Sequence, residues 1–180
     1  ILAVAVLDVA PVALAQQLLV VGRQHGTGIV DRPVAGPGPD TDLVLVGRSA
    51  KKLAPIAAET GARQFTADFS ALSEVRDLAA EINSAVGTID VLMNNAGGTF
   101  DASHRTSDGH EPNFQINHLA PFLLTHLLRD RLAAAPQSLV LNTSSVGNLF
   151  GKVDLDDLDF EKRRTLAMRP YVTAKLMNIL

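Results

Sequence analysis

Ile89-Asp90-Val91-Leu92-Met93-Asn94-Asn95-Ala96-Gly97 is the stretch on which the fold turns. The run Ile89–Met93 is too short and too apolar for a surface helix and has the composition of a strand buried on both faces. It stops abruptly in small and amide residues. In an open parallel sheet that edge is where the crevice for a ligand lies, and small residues leave room for one. The alternative, an ordinary Asn-Ala-Gly loop, is weakened by its place directly after the strand.

The flanks agree. Before the strand, residues 74–86 put Val75, Leu78, Ala79, Ile82 and Val86 on one helical stripe, and Gly87 ends it. After it, Glu111 to Ala135 is a longer helical pattern that closes before Pro136. Ala50 to Thr60 reads as a helix stopped by Gly61. Further apolar runs at Leu18–Val21, Leu43–Val46, Arg63–Thr66 and Ser138–Leu141 alternate with these helices, and a last helix opens at Tyr171. Such alternation predicts βαβ units in a doubly wound α/β fold, with a parallel sheet in the order 3-2-1-4-5 and helices on both faces. Residues 1–180 are expected to form a single nucleotide-binding domain.

One segment breaks the rhythm. Asp31-Arg32-Pro33-Val34-Ala35-Gly36-Pro37-Gly38-Pro39-Asp40 stands where the first crossover helix belongs, and three prolines with two glycines cannot make one. An out-of-frame stretch before about Thr41 would account for it. The chain starts without Met and ends at Leu180 inside an apolar run, so a fragment is expected, with further strands and a lid beyond Leu180. Without them the fifth strand would be left as an open edge.

Composition narrows the function. Of 180 residues, 47% are hydrophobic and the net charge is −3, so no basic surface awaits nucleic acid. There is no cysteine, which removes disulfides, thiolate metal sites and cysteine nucleophiles. The five histidines show no paired-ligand spacing, and no metal is expected. Residues 1–21 are apolar, but Asp8, Pro11, Gln16 and Gln17 interrupt them; a buried strand is favoured over a membrane span or signal peptide, and a cytoplasmic location is expected.

Gly22, Gly26 and Gly28 follow the Leu18–Val21 run as G-x-x-x-G-x-G. Glycines there let the backbone turn tightly against a pyrophosphate; the other reading is a plain glycine-rich loop. Arg48 and Ser49 end the second strand, where the adenosine ribose would lie. An arginine there suits a 2′-phosphate, so NADP is favoured and NAD is the alternative; a solvated cation at a helix start is the bland reading. Asp68, after the third strand, faces an adenine edge or caps the following helix. Asn95, Ala96 and Gly97 would line the cofactor crevice. Later in the chain come Ser144-Ser145, then Tyr171-Val172-Thr173-Ala174-Lys175, whose phenol and ammonium share one helical face.

In this order the residues resemble the short-chain dehydrogenase/reductase family over about residues 18–180, with an interruption at 29–40. The 26-residue gap between Ser145 and Tyr171 and the Ala174-Lys175-Leu176-Met177-Asn178-Ile179-Leu180 run look like its retinol-dehydrogenase and WW-domain-oxidoreductase branch. The resemblance implies Tyr171 as general acid/base, Lys175 as its activator and ribose clamp, Ser145 as substrate orienter and Asn117 as fourth member. Tyr171 and Lys175 would thus also touch the cofactor. It implies reversible, NADP-dependent oxidation of a small secondary or lipophilic alcohol to its carbonyl, and a homodimer through the long helix. A free phenol, with a pKa of about 10, exchanges protons poorly at neutral pH; a neighbouring ammonium favours its ionised form. Two rivals remain: an inactive binding module and a sugar-nucleotide epimerase or dehydratase, which also uses Y-x-x-x-K.

Pro121 carries a further expectation. It lies four residues after Asn117 and so removes the helical bond to the Asn117 carbonyl. The helix should kink there and free that carbonyl for a water beside Lys175, as a proton exit; a kink made only for packing is the other reading. The charged run from Asp154 to Arg164 is read as a solvated loop or as a substrate-side flap.

Overall fold

The computed structural model describes residues 2–6, 41–162 and 168–180. Five parallel strands run β1 (Leu2–Val6), β2 (Asp42–Gly47), β3 (Arg63–Thr66), β4 (Val91–Asn94) and β5 (Leu139–Asn142), in the order β3-β2-β1-β4-β5. The doubly wound topology is the expected one.

The occupant of its central slot is not. β1 is Leu2–Val6, paired in register with β2 from Leu2↔Asp42 to Val6↔Val46 and with β4 from Ala3↔Val91 to Val6↔Asn94. The run expected there, Leu18–Val21, lies outside the described residues, as do Gly22, Gly26, Gly28 and the 31–40 break. The physical reason is that two apolar runs stand within one stretch of 21 residues, and apolarity alone does not rank them. Strand pairing is a tertiary choice.

β2 is buried along Leu43–Gly47 because the sheet is covered on both sides. Val44 and Val46 face a core with Val4, Val75, Leu78, Ile82, Leu92, Leu124 and Leu128. Leu43 and Leu45 face the other way, onto Leu53 and Ile56 of α1 (Ala50–Thr60). Helix α2 (Leu72–Ala85) turns Val75, Leu78, Ala79 and Ile82 inward, the stripe expected. β5, by contrast, is half exposed and pairs only with β4 among the described residues.

Gly61 ends α1 in the left-handed region, at φ 70°. A side chain there meets no neighbouring atom, so the penalty of substitution is purely conformational. Gly61→Ala is expected to cost about 1 kcal/mol, read as a lower urea midpoint with an unchanged slope.

The helix expected over 111–135 is broken into pieces: α3 (Pro112–Phe114), a π turn (Gln115–Leu119), α4 (Ala120–Leu127) and α5 (Arg129–Ala133). Pro121 has no N–H for the Asn117 carbonyl, and the Ala120 N–H reaches back five residues to the Gln115 carbonyl. The disturbance at Asn117 is therefore real, as a widened turn. The last helix, α6 (Met168–Met177), begins three residues before Tyr171. No helix among the described residues is long and apolar enough to cross a membrane.

Candidate active site

The carboxyl ends of β4 and β5 converge with the π turn and α6. Asn94, the last residue of β4, donates from Nδ2 to Asn142 Oδ1 of β5 (2.9 Å) and to Thr125 Oγ1 of α4 (2.9 Å). This amide ties the two strand ends and the covering helix together. Its own Oδ1 is buried without a partner. Asn95 Oδ1 in turn accepts from the Thr143 hydroxyl at 2.7 Å.

The loop after β4 is held by two amides one helical turn apart. Asn117 Nδ2 donates to the Gly98 carbonyl (3.0 Å), and Asn117 Oδ1 accepts the Gly98 N–H (2.9 Å). Asn113 does the same to Phe100, at 2.9 and 2.8 Å. Each side-chain amide imitates a strand neighbour and satisfies backbone groups that would otherwise be stranded. Glu111, buried, accepts from Phe114 N–H and from Asn113 Nδ2, both at 2.7 Å, and so caps this helix start.

Gly97 has to be glycine. A Cβ there would collide with Asn117 Oδ1 and lie 3.2 Å from Lys175 Nζ. The same position thus touches two of the residues expected in the site.

Lys175 is 4% exposed, an unusual place for an ammonium. Its Nζ donates to the Thr143 carbonyl just beyond β5 (3.0 Å) and lies 6.0 Å from the centroid of the Tyr171 ring. Burial pushes its pKa below the ordinary lysine value. Ser144 Oγ donates to the Lys175 carbonyl at 2.6 Å, so it fastens α6 to the end of β5. Ser145 caps the 3-10 turn Val146–Phe150, its Oγ accepting the Gly147 N–H at 3.3 Å. That turn packs on α6 so closely that a Cβ on Gly151 would lie 2.7 Å from the Val172 carbonyl. Tyr171 is half-buried on the same helix.

Asn95, Ala96, Gly97, Asn117, Ser145, Tyr171 and Lys175 thus all lie around one end of the sheet, although 26 residues separate Ser145 from Tyr171. Arg48 and Ser49 lie further off, after β2: Arg48 is exposed, and Ser49 holds the N-cap place of α1 in extended backbone without a side-chain capping bond. Asp68 turns the chain into α2, with Oδ1 accepting the Ser70 N–H (2.8 Å) and its own N–H donating to Glu74 (2.7 Å). Its carboxylate serves the turn before α2, whose N-cap place is held by Ala71 without a side-chain bond, so Asp68 does not itself cap that helix.

The charged run after Asp154 is not simply solvated. Asp159 accepts from His110 Nδ1 and from the Glu111 N–H, each at 3.0 Å, while its carbonyl accepts from Arg105 at 2.6 Å. The run is strapped across the 101–111 loop at one aspartate. Residues missed from sequence are Asn113, Thr143, His118 and Asn178, while Ser144, read there only as half of a serine pair, fastens α6 to β5. Asn178 follows Lys175 by three residues, so helical spacing alone would have set both on one face.

The short chain dehydrogenase family model matches residues 19–154. The match takes in the glycine run at 22–28, begins after β1 and stops short of Tyr171. A Streptomyces sp. (strain C5) protein named "Putative daunorubicin C-13 ketoreductase DnrU" is 40% identical over 144 residues, 77% of this chain and 49% of its own length. Human retinol dehydrogenase 13 is 38% identical over 113 residues, 63% of this chain and 34% of its own. A crystal structure of a protein from Mycobacterium paratuberculosis superposes with a TM-score of 0.66 at 33% identity, covering 77% of this chain and 50% of that one. The chain spans half or less of the length of these relatives. With a matching family model, a parallel sheet in the expected order and close relatives on one branch, this chain belongs to the short-chain dehydrogenase/reductase family, in its retinol-dehydrogenase-like part.

Proposed function

We propose that the protein transfers a hydride between NADP(H) and a lipophilic alcohol or its carbonyl, with Tyr171 as general acid/base. The observation that carries this is the buried Lys175 ammonium, seated on the Thr143 carbonyl, beside Gly97 and below the Tyr171 ring. A cation so placed at the strand ends has a poor structural rationale and a good chemical one. The residues are of the kinds that would hold a nicotinamide nucleotide: the backbone at Gly97, bare of a side chain, packs directly against Asn117 and the Lys175 ammonium, so a buried cation stands beside the loop that follows β4. Asn95, Ala96 and Gly97 would border the nucleotide, with Arg48 and Ser49 at the adenosine end.

A nucleotide bound there supplies or accepts the hydride. The Tyr171 hydroxyl gives its proton to the carbonyl oxygen in reduction and takes it back in oxidation. Lys175 would hold a ribose hydroxyl through the N–H groups it does not give to the Thr143 carbonyl. Ser145 Oγ hydrogen-bonds the reacting oxygen and fixes its position. Asn117 keeps the 98 loop clear of the site through its two bonds to Gly98. Names among the relatives, a ketoreductase and a retinol dehydrogenase, favour a lipophilic carbonyl substrate.

The test is a fluorescence titration of the protein with NADPH and NADH, followed by NADPH consumption against a panel of ketones and aldehydes. Binding with carbonyl-dependent consumption supports the reading. Binding without consumption of any carbonyl favours a binding module, and no binding of either nucleotide ends it. Arg48→Asp is expected to weaken NADPH about tenfold while leaving NADH nearly unchanged, because only the former carries the 2′-phosphate.

A further inference from the structure

The carbonyl freed at Asn117 does not wait for solvent alone. Asn178 Nδ2 donates to it at 3.0 Å and also approaches the Thr143 carbonyl at 3.3 Å. That second oxygen is the seat of the Lys175 ammonium. On its other side the same amide meets His118 Nδ1, at 3.0 Å from Asn178 Oδ1. His118 belongs to the π turn and is stacked between Phe114 and Phe122, with ring centroids 6.0 and 6.2 Å away.

We propose that Asn178 is a positioning residue of the site: oriented by His118, its amide locks the π-turn carbonyl of Asn117 to the Thr143 carbonyl on which Lys175 sits. The assignment follows from donor and acceptor types. Two carbonyls can only accept, so the amide end between them is the NH2 group, and Oδ1 must face His118. The neutral imidazole then has to carry its proton on Nδ1, or the two acceptors would repel. Were the amide to turn over, its oxygen would oppose both carbonyls and draw the ammonium off its seat. The clamp therefore makes the place of Lys175 depend on a widened turn whose bonded residues lie 60 and 61 positions before Asn178, through one amide and one ring. It rests on the reading of Lys175 as the cation that holds the nucleotide.

Two measurements test it. The first is the 15N spectrum of the His118 imidazole in alkaline buffer, on the protein without nucleotide: the Nδ1–H form is expected, and an Nε2–H form overturns the clamp. The second compares His118→Phe, which keeps the stack and loses the donor, with His118→Asn, which keeps a donor at the Nδ1 position and loses the stack. His118→Phe is expected to weaken NADPH binding about fivefold, the worth of one lost orienting hydrogen bond, and His118→Asn to recover most of that. The reverse order, with Phe tolerated and Asn not, makes His118 a packing residue and overturns the proposal. Thermal midpoints of both variants separate these effects from misfolding. If the unaltered protein binds no NADPH, the hydride-transfer reading fails by itself, and the tautomer still decides whether the clamp exists.

Discussion

Tyr171→Phe is expected to lower kcat/KM about a thousandfold while changing NADPH affinity by less than about threefold. The substitution removes one oxygen and leaves the ring. The ring's contact with Lys175 and the register of α6 on the 3-10 turn are retained, because the close approaches there involve Val172 and backbone. What is lost is the group that exchanges a proton with the reacting oxygen, and the Ser145 hydroxyl, a far weaker acid, does not take its place. The check is steady-state turnover beside a binding titration. Retention of more than about a tenth of the activity would remove Tyr171 from the acid/base role. Loss of binding together with turnover would mean that the change had disturbed the fold.

Lys175→Met should move activity and stability in opposite directions. An ammonium at 4% exposure has given up most of its water and gained one carbonyl, and desolvation is what lowers its pKa. Methionine has similar length and no charge to desolvate, and the Thr143 carbonyl would keep the Asn178 amide as a donor. At neutral pH the variant is expected to be more stable by about 1 kcal/mol and to lose activity about a hundredfold. The sign of the pH dependence follows from linkage. The unfolded lysine titrates near its ordinary value of 10.5 and the folded one below it, so between those values the unfolded state binds more protons. Stability of the unaltered protein therefore rises with pH across that window, the burial penalty being fully present below it and gone above. Lys175→Met should flatten that rise. Urea midpoints at pH 7 and across the alkaline range check both claims, and a destabilised Lys175→Met at neutral pH would show that the ammonium's contacts outweigh its lost hydration.

How far the sequence could be read depended on the kind of evidence each element offered. α1 was legible to the residue, because a stop at Gly61 is a local conformational matter. α2 was legible from its stripe, though it starts two residues earlier than the pattern suggested. The long helix was legible as helix and as disturbed at Asn117, since the missing N–H of Pro121 is written in the chain. That the disturbance is a π turn was not, because a kink, a bulge or a bound group would all relieve the same lost bond. The site residues around Gly97 were legible as types in an order, and the structure brings them to one sheet end. Asp68 was legible only as two alternatives; its carboxylate lies on the Ser70 N–H in the turn before α2, while Ala71 holds that helix's N-cap place.

By itself the chain determined the alternation of buried runs and helices, hence a parallel sheet wound in the order 3-2-1-4-5, and the residue types at its ligand edge. These follow from periodicity, stop signals and chirality, all of which are local or generic. Only the tertiary structure decided that Leu2–Val6 fills the central slot, that β4 and β5 are stitched through Asn94 and Asn142, and that Lys175 is buried on the Thr143 carbonyl beneath Tyr171. Each of those depends on which distant backbone groups meet once the sheet has closed, and a hydrogen bond between residues 32 or 48 positions apart leaves no periodic trace in the chain that makes it.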